Sequence, residues 1–167
     1  MIKNENIRIN LAFELVAEFE GFVNHVYECE AGKQTIGYGS VVEYLPQKVQ
    51  DKIKKEKHIT KEEAENIAKD FLRNLLKNLE IKYPYLKDHQ MAAILDLYYN
   101  VGIGNINRSN LPIFLQKQEW NKAIQSILSF CHYRDKNGIL QVAKGLQRRR
   151  QKEVDLFKIA LDKLYVL

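Results

Sequence analysis

Apolar residues recur at helical spacing along most of the chain and switch to another pattern over one short stretch. Ala12, Leu15, Val16 and Phe19 fall at i, i+3, i+4 and i+7, the stripe of an amphipathic helix that Gly21 can terminate. Val26-Tyr27, the turn-prone Glu30-Ala31-Gly32-Lys33 and Gln34-Thr35-Ile36-Gly37-Tyr38-Gly39 then predict a β-hairpin with a glycine-rich exit. Extended structure is expected only there. Thr60 with Glu63 three residues later is a capping-box pair, and Ala64, Ile67, Ala68, Phe71, Leu72, Leu75, Leu76 and Leu79 carry a long stripe that Pro84 breaks. Asp88 is expected to cap a segment from Met91 to Val101, apolar on most sides and so buried, with Gly102 and Gly104 ending it. Shorter helices are expected from about Ser109 and about Glu119, a turn at Asn137-Gly138, and a last helix from near Gly145 to near Leu164. The fold class is therefore α+β and mostly α: a small N-terminal hairpin lobe on a helical C-terminal bundle, with a cleft between them.

Composition narrows the class without choosing a function. A chain of 167 residues, 46% hydrophobic and 28% charged, is a single globular domain rather than a disordered one. Its longest purely apolar run is the five residues Met91 to Leu95, far short of the ~20 that span a bilayer, so no stable membrane insertion is expected. Met1-Ile-Lys-Asn-Glu-Asn lacks the apolar core of a secretory signal, which predicts synthesis in the cytoplasm. Cys29 and Cys131 form no metal framework and no disulfide pattern. Cys131 reads as a buried apolar filler. The net charge of +5 and the pI near 9.1 favour an anionic partner: nucleic acid, an acidic membrane face or a cell-wall polymer. The basic stretches around Lys52 to Lys57 and around Arg148 to Lys152 have acids in or next to them, Glu56 and Glu153, and read as solvated helix faces, so nucleic acid is not expected.

Chemistry concentrates between Glu20 and Ser40. Glu20 closes the apolar helix inside Phe19-Glu20-Gly21-Phe22. Flanking aromatics predict desolvation that raises a carboxyl's pKa, as a general acid requires; taken alone, Glu20 reads first as a solvated carboxylate at a helix end. Tyr27 lies seven residues after it, Cys29 nine and Gly32 twelve, and Thr35 opens Thr35-Ile36-Gly37-Tyr38-Gly39. This pattern resembles the phage-type lysozymes, glycoside hydrolase family 24. Their signature is Glu-Gly followed by Tyr-x-Asp-x-x-Gly-x-x-Thr-(Ile/Val)-Gly-(Tyr/Ile)-Gly-His at the same offsets. Ile59-Thr60-Lys61-Glu62-Glu63-Ala64-Glu65 is similar to the start of that family's interlobe helix. Leu97-Tyr98-Tyr99-Asn100-Val101-Gly102-Ile103-Gly104 is similar to its Phe-Asn-Val-Gly-x-Gly segment, and the stretch from Gly145 to Glu153 to its Gly-Leu-x-x-Arg-Arg-x-x-Glu helix.

The resemblance implies a lysozyme-like single domain over 1–167. It would have a hairpin lobe at about 20–58, an interlobe helix at about 60–80, and a helical lobe at about 84–167 packed with 1–19. It implies a peptidoglycan muramidase cleaving the β-1,4 bond between N-acetylmuramic acid and N-acetylglucosamine. In that reading Glu20 is the general acid, Thr35 lines the site near the attacking water, and Tyr99 and Asn100 contact the saccharide. For Tyr99 and Asn100, helix-end packing and capping is an equal reading. The Arg148 to Arg150 run reads as structural, with Arg149 pairing with Glu153 at i+4 for a few tenths of a kcal/mol. No cofactor and no metal are implied. The expected setting is a monomeric phage or prophage endolysin, made without a signal peptide and acting on the wall after release by a holin-type partner.

Two positions depart from the family pattern. Ser40 stands where the family has His, and Cys29 where it has Asp. Glycosidases ordinarily use two carboxyls, and a thiol with pKa about 8.5 is only a few per cent ionised near neutrality. Three readings stay open: the Cys29 thiolate serves as base or nucleophile; Glu30, at the turn, supplies the second carboxylate; or catalysis is lost and the cleft binds glycan.

Overall fold

The computed structural model describes residues 4–29, 32–134, 137 and 139–162. Helix α1 (Glu5–Glu20) starts where the Asn4 side chain accepts from the Ile7 amide at 3.3 Å. It stops at Gly21, whose φ of +70° turns the chain into the sheet. Strands β1 (Val23–Glu28), β2 (Gln34–Gly37) and β3 (Ser40–Val41) form an antiparallel sheet in that order. Tyr27 faces Thr35 across the first pair, and Thr35 faces Val41 across the second. A short 3-10 turn leads to α2 (Gln47–Glu56), and α3 (Lys61–Lys82) follows behind the Thr60–Glu63 capping box. Gly37 lets the sheet rest directly on α3, because a Cβ there would lie 3.0 Å from the Ala64 methyl.

The helical part is built around α4 (Asp88–Val101), which packs mainly against α8 (Lys144–Asp162) and α1. Every residue from Gln90 to Tyr98 is buried, as a helix apolar on nearly all sides must be. Between α4 and α8 come α5 (Ile103–Asn107), α6 (Leu111–Gln116), α7 (Trp120–Ser129) and a second antiparallel pair, β4 (His132–Arg134) with β5 (Leu140–Val142).

Several expectations need correction. Extended structure is not confined to the first hairpin: β4 and β5 form another around Asn137, while Gly138 lies outside the described residues. Those strands are three residues each and β5 is exposed throughout, so no alternation marks them. Lys87, not Asp88, is the N-cap of α4, and the Asp88 carboxylate turns instead to Arg8 at 2.6 Å. Gly104 sits inside α5 rather than ending α4. The predicted stripe of α3 is wider than its buried set: Phe71 is 49% exposed, and with Ile67 it borders an open bay. Leu164 lies outside the described residues. The largest correction concerns the basic run near the C-terminus. Arg149 and Arg150 are fully buried rather than solvated.

Candidate active site

Glu20 occupies the last turn of α1, held at the sheet by a guanidinium from the opposite end of the chain. Arg149 Nη1 donates to Glu20 Oε1 at 2.5 Å. The same guanidinium forks onto Asp96 of α4, with Nη2 to Oδ1 at 2.7 Å and Nε to Oδ2 at 3.0 Å. Asp96 is completely buried and the Arg149 side chain nearly so, whereas the Glu20 side chain keeps 24% exposure. A planar fork paired with a buried carboxylate fixes both partners geometrically. The remaining Glu20 oxygen, Oε2, faces Gly39, where a Cβ would stand only 3.1 Å away. Gly39 has a φ of +78° and no side chain, so the backbone passes close to the carboxyl without covering it. The Phe19 ring lies 5.6 Å from the Arg149 guanidinium, and Phe22 stacks on Tyr38 at 5.7 Å.

The hairpin supplies the facing groups. Cys29 follows β1 at the turn; its amide donates to the Lys33 carbonyl at 3.0 Å, and its carbonyl accepts from Gly32 at 2.8 Å. Cys29 is half-buried, and neither it nor Cys131 is in a disulfide. Tyr27, two residues back in β1, has its phenol pKa pushed up. Burial is the main cause, followed by the negative charges of Glu20 and Cys29, so the carboxyl and the thiol both lie within electrostatic reach of that ring. Thr35, opposite Tyr27, is buried and donates its hydroxyl to the Lys33 carbonyl at 3.0 Å. Glu28 is exposed, and Glu30 lies outside the described residues.

From the helical side, Tyr99 closes the cleft. Its hydroxyl donates to the Tyr38 carbonyl at 2.6 Å, tying the end of α4 to the sheet exit, and burial pushes its pKa up to about 12. Beside it a bay of about 220 Å³ opens between sheet and helices, bordered by Gly39, Ser40, Val41, Ile67, Phe71 and Tyr99. The Phe71 and Tyr99 rings meet edge to face at 5.3 Å. Ser40, which stands at the family's His position, therefore edges a mostly apolar recess. Asn100 is half-buried at the helix end and does not enter the lining of that bay. Among the described residues no cluster of three or more His, Cys, Asp or Glu side chains could hold a metal ion.

Glu20, Cys29, Thr35 and Tyr99 thus share one region, and Arg149 and Asp96 belong with them. The sequence reading assigned Arg149 to Glu153, but that contact is 4.0 Å and secondary; Glu153 is bound instead by Arg150 at 2.6 Å. Two sequence signals could have exposed the buried group of Asp96, Arg149, Arg150 and Glu153. Asp96 is a lone carboxylate directly after the longest apolar run, and Arg150, Glu153, Val154 and Phe157 fall at i, i+3, i+4 and i+7, in phase with one buried stripe.

Comparison with known proteins agrees with this architecture. Residues 17–153 match the phage lysozyme family. An endolysin of Acyrthosiphon pisum secondary endosymbiont phage 1 is 30% identical over 148 residues, covering 87% of this chain and 94% of that one. Among solved structures, the muramidase domain of SpmX from Asticaccaulis excentricus superposes with a TM-score of 0.74 at 22% identity, covering 87% of this chain and 93% of that one. The endolysin of Escherichia coli O157:H7 phage FAHEc1 gives 0.71 at 22% identity, covering 88% and 90%. The active form of the P1 phage endolysin Lyz gives 0.68 at 21%, covering 90% and 84%. These structures establish the fold. The chain belongs to the phage lysozyme family and is a glycoside hydrolase of the muramidase type.

Proposed function

We propose that the protein hydrolyses the β-1,4 bond between N-acetylmuramic acid and N-acetylglucosamine in peptidoglycan, with Glu20 as general acid. The observation that carries this reading is the division of labour at its carboxyl. Arg149 holds Oε1 at 2.5 Å, while Oε2 points past Gly39, so one oxygen is anchored and the other can deliver a proton to the glycosidic oxygen. Cys29 takes the second role from the hairpin, as base for water or as nucleophile on the sugar, with Thr35 beside it. A nucleophilic thiolate would form a thioglycosyl intermediate that water then hydrolyses with retention; a base would invert. Glu30 is the substitute carboxylate in a thiol-independent variant of the mechanism. Tyr99 lines the saccharide cleft, and Asn100 adds a polar contact at its rim. The net charge of +5 steers the enzyme to an anionic wall. A monomer released to the wall by a holin-type partner, lysing the host late in infection, is the setting this chemistry fits. Binding to nucleic acid is not part of it.

Glu20→Gln removes the proton with almost no change of shape. Reducing-sugar release from purified peptidoglycan should fall by about 10²–10⁴-fold, the range a positioned general acid supplies. Activity near wild type in a folded Glu20→Gln protein refutes the assignment. Cys29→Asp should retain or raise turnover, and alkylation of the thiol should abolish it. Turnover that survives complete alkylation transfers the second role to Glu30. Wall binding without any sugar release in the unmodified protein would instead favour a glycan-binding module, the reading that the Cys29 replacement otherwise motivates.

A further inference from the structure

Glu153 is a buried carboxyl that the reaction above does not use. Its side chain is 0% exposed, and Arg150 Nη2 donates to its Oε1 at 2.6 Å. Its other oxygen, Oε2, has no hydrogen-bond partner. An ionised carboxylate with one oxygen empty in the interior is costly, because nothing replaces the water it lost. The charged groups around it come from two helices. Arg150 and Arg149, the latter with Nε 4.0 Å from Oε1, belong to α8, and Asp96 belongs to α4. Glu20 of α1 joins through Arg149, and the Phe130 carbonyl beyond α7 faces Arg150 at 3.4 Å. With both ionised, Asp96 and Glu153 would be two carboxylates sealed from water side by side, one of them with an oxygen that no donor reaches.

One proton removes both difficulties. Placed on Glu153 Oε2, it leaves Asp96 as the one sealed carboxylate facing the guanidiniums, and it turns an orphaned acceptor into a donor beside Asp96. We propose that Glu153 is a positioning residue: it carries this proton in the resting protein and donates it in a hydrogen bond to Asp96, which keeps Arg149 divided between Asp96 and Glu20. Burial, with Asp96 adding to it, raises the Glu153 pKa well above the usual carboxylate range. If Glu153 gave its proton to solvent, the new negative charge beside Arg149 would draw the guanidinium inward. Glu20 would then lose its anchor. The effect on activity rests on the reading of Glu20 as proton donor; the location of the proton does not.

The test compares Glu153→Gln with wild type. The amide copies the protonated acid, since its oxygen accepts from Arg150 and its NH₂ donates to Asp96. Infrared difference spectra at neutral pH should show the carbonyl stretch of a protonated carboxyl in wild type and not in Glu153→Gln. A group whose native pKa is raised gives stability that is full below its unfolded value, about 4.3, and that is lost as pH rises toward the native value. Stability of Glu153→Gln relative to wild type should therefore grow as pH rises above the unfolded value of about 4.3. Muramidase activity should stay within about threefold of wild type in Glu153→Gln and fall at least about tenfold in Glu153→Ala. Identical infrared spectra, parallel stability curves, or a tenfold loss in a folded Glu153→Gln protein would each overturn the proposal. If Glu20→Gln stays active, the catalytic reading fails alone, and the spectra and stability curves still decide the fate of Glu153.

Discussion

Two arginines are buried to the same degree in this molecule and are used differently. Arg8, on α1, is 1% exposed and reaches Glu80 at 2.7 Å and Asp88 at 2.6 Å, with the Leu86 carbonyl at 3.4 Å. Its carboxylate partners keep 35% and 26% exposure, so water shares in their solvation. Arg149 has the reverse arrangement. Its inner partner, Asp96, is sealed from solvent, and its outer partner, Glu20, stands at the cleft. Arg8 pins three helices together at a rim that water can reach. Arg149 transmits the rigidity of the core to the Glu20 carboxyl at the cleft. The lesson is that burial of a cation does not define its role; the exposure of the groups it holds does.

That contrast can be broken by substitution. Arg149→Met should cost about 3–5 kcal/mol, because Asp96 is left buried and uncompensated, and the displaced Glu20 should lower turnover by about 10²-fold. Chemical denaturation and sugar release measured on the same folded sample separate the two losses. Gly39→Ala places a methyl at a left-handed position, costing about 1–2 kcal/mol, and pushes on Glu20 Oε2. Its kcat should fall more than its KM rises, since a static saccharide contact would do the opposite. Arg8→Met should cost only about 1–3 kcal/mol and leave turnover per folded molecule unchanged. A loss of turnover in Arg8→Met comparable with that in Arg149→Met would erase the distinction.

What the sequence reveals about this site depends on how far apart its members are. The hairpin, Glu20, Cys29 and Thr35 fall within sixteen residues, so offsets along one turn and one strand pair bring them into view. The Thr60–Glu63 capping box is equally local, and the structure contains both of its hydrogen bonds. The Arg149 anchor joins residues 129 and 53 positions apart, and no local pattern records that meeting. The basic run also misled because it mixes two faces: Arg148 is exposed, while Arg149 and Arg150 turn inward. Helical phase, not charge, separates them. Phe71 erred in the other direction. It continues the core stripe of α3 in sequence but borders the bay in space, since a stripe about 100° wide on a long helix can serve a core and a cleft at once.

The long separation between Glu20 and Arg149 also has a temporal meaning. During synthesis the first helix and the hairpin emerge early, carrying the carboxyl and the thiol, while the guanidinium that orients the carboxyl lies in the last helix. A nascent chain lacking α8 has the Glu20 carboxyl without its anchor, and with Asp96 unpaired, α4 cannot bury its polar position cheaply. The Glu20 carboxyl is therefore oriented only once α8 docks.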